Sequence, residues 1–327
     1  MVVSGQKLYD CTGIGLATYD FTLEVATYPA VNTKHTALHS AGGGGGPVPT
    51  AAVTMARLGS SVALVTTLGE DYLGRRILAE IKSYGIDISG IRLDAQAETL
   101  HSHILVEAGT GKRTVVQNTG DLPEIQSGQV PEPLIRYTRS VTLDSRPSPA
   151  IISLAERAKK RGARIMLDAG SVHEHTEQLL PLVDYLIVSA SFVEDYFGHA
   201  DYGRACKVLI DRGAVISGVT LGADGSILCN GKQLICMPAF PVKAVDTTGA
   251  GDMYHGALLY GILKGWPLEA LGQFAGAVAA IGIQQFGSGT RIPTLHEVTL
   301  FLQEHEMWQH PVLLKQRKQE TGDGTTG

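Results

Sequence analysis

Cysteine is scarce in this chain: four among 327 residues, Cys11, Cys206, Cys229 and Cys236, with no CxxC pair. That excludes a dense disulfide framework and leaves each thiol as a small core residue, at home in a reducing cytoplasm. Long apolar runs are missing too. The strongest patch, residues 275–283, falls far short of the ~20 residues a membrane span needs. The opening MVVSGQKLYD has neither the charged start nor the apolar core of a signal peptide, so the expected location is cytoplasmic. Dense basic stretches are absent, and 27 Lys and Arg against 32 Asp and Glu give a net charge of −5, which argues against a dedicated nucleic-acid binder. Charged residues make up only 18%, beside 44% hydrophobic, too little charge for a disordered chain and ample material for a core. There is no internal repeat.

What the chain has in excess is glycine. Its 39 glycines are about 12% of the chain, against a usual ~7%, with no Gly-X-Y period to suggest collagen. Around them, strand-like and helix-like stretches alternate. Strands are expected at 8–16, 62–68, 140–143, 164–168, 185–189 and 214–220. Helices are expected at 47–58, 72–84, 150–161, 249–264 and 268–286, several with Pro near the start or Gly just past the end. Strands separated by helices of this length imply a parallel sheet covered on both faces, an α/β fold. Two stretches break the rhythm. Residues 20–40 and 98–118 alternate like half-exposed strands, the second with a Gly109-Thr110-Gly111 hairpin signal. A small β-sheet over one end of the main sheet, like a lid, accounts for both. The division expected is therefore a core of residues 1–19, 41–97 and 119–312, a lid of 20–40 and 98–118, and a polar tail at 313–327.

The most informative glycines lie in Asp246-Thr247-Thr248-Gly249-Ala250-Gly251-Asp252, directly before the helical pattern MYHGALLYGILKG. Small residues there leave the amides of a helix start open, and that end carries partial positive charge, a ready anion site. Asp252 sits in the first turn, where dipole and hydrogen bonds would keep it ionised and able to take a proton from an attacking hydroxyl. Other patterns carry less. Gly109-Thr110-Gly111-Lys112 lacks the first glycine and the Ser/Thr of a P-loop. His101/His103 and His173/His175 lack further metal ligands, and Gly13-x-Gly15 lacks the rest of a dinucleotide fingerprint.

With Gly45-Gly46, Ala56-Arg57-Leu58-Gly59, Leu68-Gly69-Glu70-Asp71 and Val219-Thr220-Leu221-Gly222-Ala223-Asp224-Gly225, the chain resembles the ribokinase-like (phosphofructokinase B type) carbohydrate kinases over nearly its whole length. The resemblance implies a three-layer αβα core with a mostly parallel sheet and a β lid over the sugar. It implies an ATP-dependent sugar kinase with Mg²⁺, Asp252 as base, and the Gly249, Ala250 and Gly251 amides as the anion hole. Thr220, Gly222 and Gly225, with Thr248 and Gly287, would bind nucleotide. Asp246 and Thr248, with the loop 287–290, would hold a monovalent cation, K⁺. Asp20, Gly45, Gly46, Thr50, Gln117 and Arg146 would meet the sugar, Arg146 facing an acidic substituent. Many relatives carry Asn where this chain has Thr50, and their NxxE motif falls at 189–192, which here reads Ser-Ala-Ser-Phe, leaving Glu194 as a displaced candidate. The pattern is most similar to the ketose branch that contains sulfofructose kinases. Two other readings stay open: a nucleoside kinase, and a non-catalytic sugar- or nucleotide-binding regulator. Exposed lid strands also suggest a homodimer.

Overall fold

A computed structural model describes residues 8–287 and 292–305. The apolar run after Leu8 forms β1 (Tyr9–Ile14), after which the chain leaves the main sheet for β2 (Thr18–Val25) and β3 (His39–Gly45). Helix α1 (Pro47–Arg57) returns it to β4 (Val62–Gly69), α2 (Tyr72–Ser83) and β5 (Asp87–Asp94). A second excursion, β6 (His101–Glu107) and β7 (Arg113–Asn118), precedes α3 (Glu132–Arg136), β8 (Thr138–Leu143) and α4 (Pro149–Lys160). Next come β9 (Arg164–Ala169), α5 (Thr176–Leu179), β10 (Tyr185–Ser189), α6 (Ala190–Phe197), α7 (Tyr202–Asp211) and β11 (Ile216–Thr220). The series closes with β12 (Ser226–Cys229), β13 (Leu234–Met237), α8 (Ala250–Leu263), α9 (Leu268–Gly282) and α10 (Leu295–Glu304). Local chemistry sets many of the ends. Pro opens α1, the Asp71 carboxylate accepts from Gly74 N at 2.7 Å to cap α2, and Thr294 with Glu297 forms a capping box on α10.

The main sheet has nine strands in the order β13-β12-β11-β10-β9-β8-β1-β4-β5, all in one direction except β12, which is antiparallel to both β11 and β13. Helices α1, α2, α8, α9 and α10 pack one face and α3 to α7 the other, giving two apolar clusters and three layers. Each fully buried Leu, Ile or Phe in them contributes about 1.5–3 kcal/mol. Helix α8 is apolar nearly all round and buried from Met253 to Gly261, as a helix between layers must be. Gly256 lets α1 lie against it: a Cβ there would stand 2.5 Å from Ala51 O.

The second sheet runs β3-β2-β6-β7, with β2 and β6 parallel and the outer pairs antiparallel. It differs from the sequence expectation at its borders. Strand β2 begins at Thr18, and Gly42, Gly43, Gly44 and Gly45 belong to β3, paired with Phe21, Asp20, Tyr19 and Thr18, so the small sheet takes in residues 18–19 and 41–45 that were expected in the core. A glycine strand shows no alternation of side chains, so only its backbone pairing reveals it. Strands β5, β12 and β13 and helices α3, α5, α6, α7 and α10 were also not expected; they are short or weakly patterned. Cys11, Cys206 and Cys229 are buried, but Cys236 is exposed because β13 is the last strand of the sheet. The proposed tail, 313–327, lies outside the described residues. Among the described residues no helix is long and apolar enough to cross a membrane.

Candidate active site

Strands β1, β8, β9 and β10 all end at the same edge of the main sheet, and the start of α8 is tied to that edge. Gly249 caps α8 in the left-handed region (φ 74°), a conformation glycine adopts without strain. The loop before it is held by the buried Asp246 carboxylate, which accepts from Thr248 N at 2.8 Å and Gly287 N at 3.2 Å. Ala250 N is drawn into a turn with Thr247 O at 3.3 Å. The amides of Gly251 and Asp252, in the first turn, have no intrahelical acceptor by the geometry of a helix start. Thr248 Oγ1 is closed off from solvent and lacks a hydrogen-bond partner among the described residues. One turn further, Tyr254 shares a 2.9 Å hydrogen bond with Ser226, joining α8 to the strand that follows the β11–β12 turn.

The small sheet turns one face to this edge. Its register sets Gly43, Asp20, Ser102 and Gln117 in a single row across β3, β2, β6 and β7, and Arg113 shares their face four residues before Gln117. Asp20 is buried and accepts from Thr18 Oγ1 at 3.1 Å. Its carboxylate occupies the space beside Gly45: a Cβ there would stand 2.1 Å from Asp20 Oδ2. Two bridges join the sheets. Arg146, two residues beyond Asp144 after β8, donates to Gln117 Oε1 at 3.0 Å. Thr247 Oγ1 donates to Gly111 O at 2.9 Å and accepts from Arg113 Nη1 at 3.1 Å, so the hairpin tip sits on the loop before α8.

Electrostatics at this meeting point differ from the sequence expectation in one respect. Burial pushes the Asp252 carboxyl up to about 7; Asp168 pushes it the same way, His255 and Arg113 pull it back, and Asp20 adds a small upward push. Desolvation and a like charge thus push Asp252 towards its neutral form, against the expectation of a strongly ionised carboxylate. Burial also raises Asp168, opposed by His255, and raises Asp144 against hydrogen bonds from Leu16 N and Arg146 N. His173 is lowered by burial and then by Arg146.

The other expected residues are distributed as follows. Thr50 faces a small cavity with Gly44, Gly45, Glu80 and Ile292. Gly46 has φ 99° and lies against Leu16 O. Thr220 ends β11; Gly222 and Gly225 (φ 60° and 92°) make the turn into β12, where a Cβ on Gly225 would stand 1.9 Å from Met237 O. Gly287 touches Asp246, while residues 288–290 of the expected cation loop lie outside the described residues. At 189–192, Ser189 caps α6 by accepting from Phe192 N at 3.0 Å, and Phe192 is buried. Glu194 is exposed and accepts from Tyr202 OH at 2.8 Å. Sequence reasoning missed Arg113, Asp144, Asp168 and His255. Lone charged residues at strand ends and on a helix carry no motif; only the register brings them together.

Comparison with known proteins bears on the family and the fold. Residues 10–295 match the pfkB family carbohydrate kinases. The chain is 27% identical over 267 residues to a ribokinase of Haemophilus influenzae, covering 79% of this chain and 87% of that one. It is 26% identical over 299 residues to a nucleoside kinase of Methanothermobacter thermautotrophicus, covering 88% and 94%. Among solved structures it is similar in fold to the ribokinase of Arabidopsis thaliana complexed with ribose and ATP, at TM-score 0.78 and 24% identity over 90% of this chain and 99% of that one.

Proposed function

The chain belongs to the pfkB family of carbohydrate kinases, phosphotransferases with an alcohol acceptor, and on that premise we propose that it moves the γ-phosphate of ATP to a hydroxyl of a small ketose-like sugar bearing an acidic substituent. The observation that carries the acidic substituent is the Arg146–Gln117 bridge. The bridge holds an exposed guanidinium against Gln117, in the same row as Asp20, and a planar cation of this kind pairs with carboxylate or sulfonate oxygens. In this reading Asp20 orients sugar hydroxyls, and Gly45, Gly46 and Thr50 form the wall behind them.

ATP would lie along the turn containing Thr220, Gly222 and Gly225, with its γ-phosphate at the Gly249–Gly251 helix start, and Mg²⁺ bound with it would supply further positive charge there. Asp252 accepts the proton of the attacking hydroxyl. The helix end and the Arg113 guanidinium offset charge on the phosphoryl oxygens as the new bond forms in line with the one that breaks. Thr248 Oγ1, buried and without a hydrogen-bond partner among the described residues, and the nearby Asp246 carboxylate would supply oxygen ligands to K⁺.

The test is ATP consumption with ketohexoses, a sulfonated ketose, sugar acids, ribose and nucleosides. An acidic ketose should give the highest kcat/KM. Arg146→Gln should raise KM for it about tenfold or more, the worth of one charge-assisted hydrogen bond, and leave neutral sugars unaffected. Highest turnover with a nucleoside or ribose would replace this reading with a neutral acceptor.

The same reading extends to assembly. Strand β7 is the free edge of the small sheet, exposed at all six residues including Val115 and Val116. Such an edge invites a second copy of this chain. Sedimentation should give a dimer; a monomer at micromolar concentration removes the assignment.

A further inference from the structure

Beneath Asp252 lies a pair of side chains that the phosphoryl-transfer scheme does not use. His255, one turn along α8, is 3% exposed and its ring is surrounded by acceptors. Nδ1 stands 2.7 Å from Gly251 O, in the first turn of its own helix, and 3.3 Å from Asp168 Oδ2 on β9. Nε2 stands 3.2 Å from Ile187 O on β10. Register sets Ile187 directly opposite Asp168, so the ring reaches two adjacent strands and its own helix start at once. A neutral imidazole has one N–H and would leave its bare nitrogen facing a carbonyl oxygen, lone pair to lone pair. Only the doubly protonated ring donates on both sides, and the Asp168 carboxylate is the counter-charge beside it.

We propose that Asp168 and His255 form a buried ion pair that locks the first turn of α8 to β9 and β10 and fixes the charge felt by Asp252, making both positioning residues for phosphoryl transfer. The proposal rests on Asp252 acting as the base. Geometry supplies the lock: the Gly251 carbonyl belongs to the turn whose amides would receive phosphate, and the ring ties that carbonyl to the sheet. Charge supplies the second effect. The groups facing Asp252 are Asp168 from β9, His255 from α8, Arg113 from β7 and Asp20 from β2. Those facing Asp168 are His255 and, beyond the end of β8, Asp144, which in turn faces Arg146. Asp168 and His255 thus act on the base with opposite signs.

Opposite signs make the claim testable. In pH profiles of kcat/KM, Asp168→Asn removes a negative neighbour and should move the acidic limb down by about one pH unit, whereas His255→Gln removes a positive one and should move it up by a similar amount. The double variant should return towards the wild-type limb, and all three should lower kcat more than they raise KM for the sugar. Folded variants whose limbs stay at the wild-type pH, or both shift the same way, would overturn the tuning. Should a variant fail to fold, ¹⁵N spectra of wild-type His255 decide the ion pair: an imidazolium signature at pH 7 is expected, and a neutral tautomer overturns it. Asp252→Asn separates the premise from the proposal. Retained turnover there would remove the base, and the tuning with it, whereas lost turnover with unmoved limbs in the other variants would remove the tuning alone.

Discussion

Asp252 is where single-residue chemistry is most exposed to experiment. Asp252→Asn keeps the shape of the side chain but removes the proton acceptor, so folding and ATP binding should persist while kcat falls by 10² or more, the range general-base catalysis supplies. The wild-type profile follows from the raised carboxyl. Because the base works ionised and its pKa stands at about 7, kcat/KM should rise with pH through neutrality and level off above it. An acidic limb near pH 4 would show that solvent reaches the carboxyl in the free enzyme and relieves the burial. The position of Asp252 was legible in the sequence, since a glycine-flanked acid at a helix start is a local pattern. Its protonation was not. Burial and the Asp168 carboxylate come from an element some eighty residues earlier, and no local string records that neighbour.

Elements differ in how plainly the chain announces them. Strand β4 is seven buried Val, Ala, Leu and Thr residues closed by Gly69, and α2 has its Asp71 cap, so both could be read directly. Strand β3 hides because a strand of glycines has no side-chain period, and β12 and β13 hide because four-residue edge strands look like turns. The Gly222–Gly225 turn shows what an element boundary costs to alter. Gly225→Ala would force a Cβ into Met237 O and hold a non-glycine residue at φ 92°. The loss should be ~2 kcal/mol or more, read as a drop of several degrees in Tm. Gly222→Ala, which meets no atom within 4 Å and pays only for its positive φ, should cost less. Equal losses at the two positions would mean that the contact with β13 contributes nothing.

Seen whole, the molecule is a large layered sheet with a small one set across its active edge, and the way the small one is attached has mechanical consequences. Three residues separate β1 from β2, and a single residue, Gly46, separates β3 from α1, pressed against Leu16 O. Tethers that short reach at most ~10 Å and ~4 Å even when fully extended. The β2–β3 side is therefore a pivot, anchored where it stands. Among the described residues, the hairpin and β7 are held by side-chain contacts, the Thr247 bonds to Gly111 and Arg113 and the Arg146–Gln117 bridge, while the start of β6 is held by Thr99 to Gly69 and Asp71. Amide exchange should accordingly be faster at 108–113 than at 42–45, and ATP with an acidic sugar should slow the former selectively. If the chain acts as proposed, the small sheet tilts about its β2–β3 tethers and the sugar enters and leaves past the hairpin.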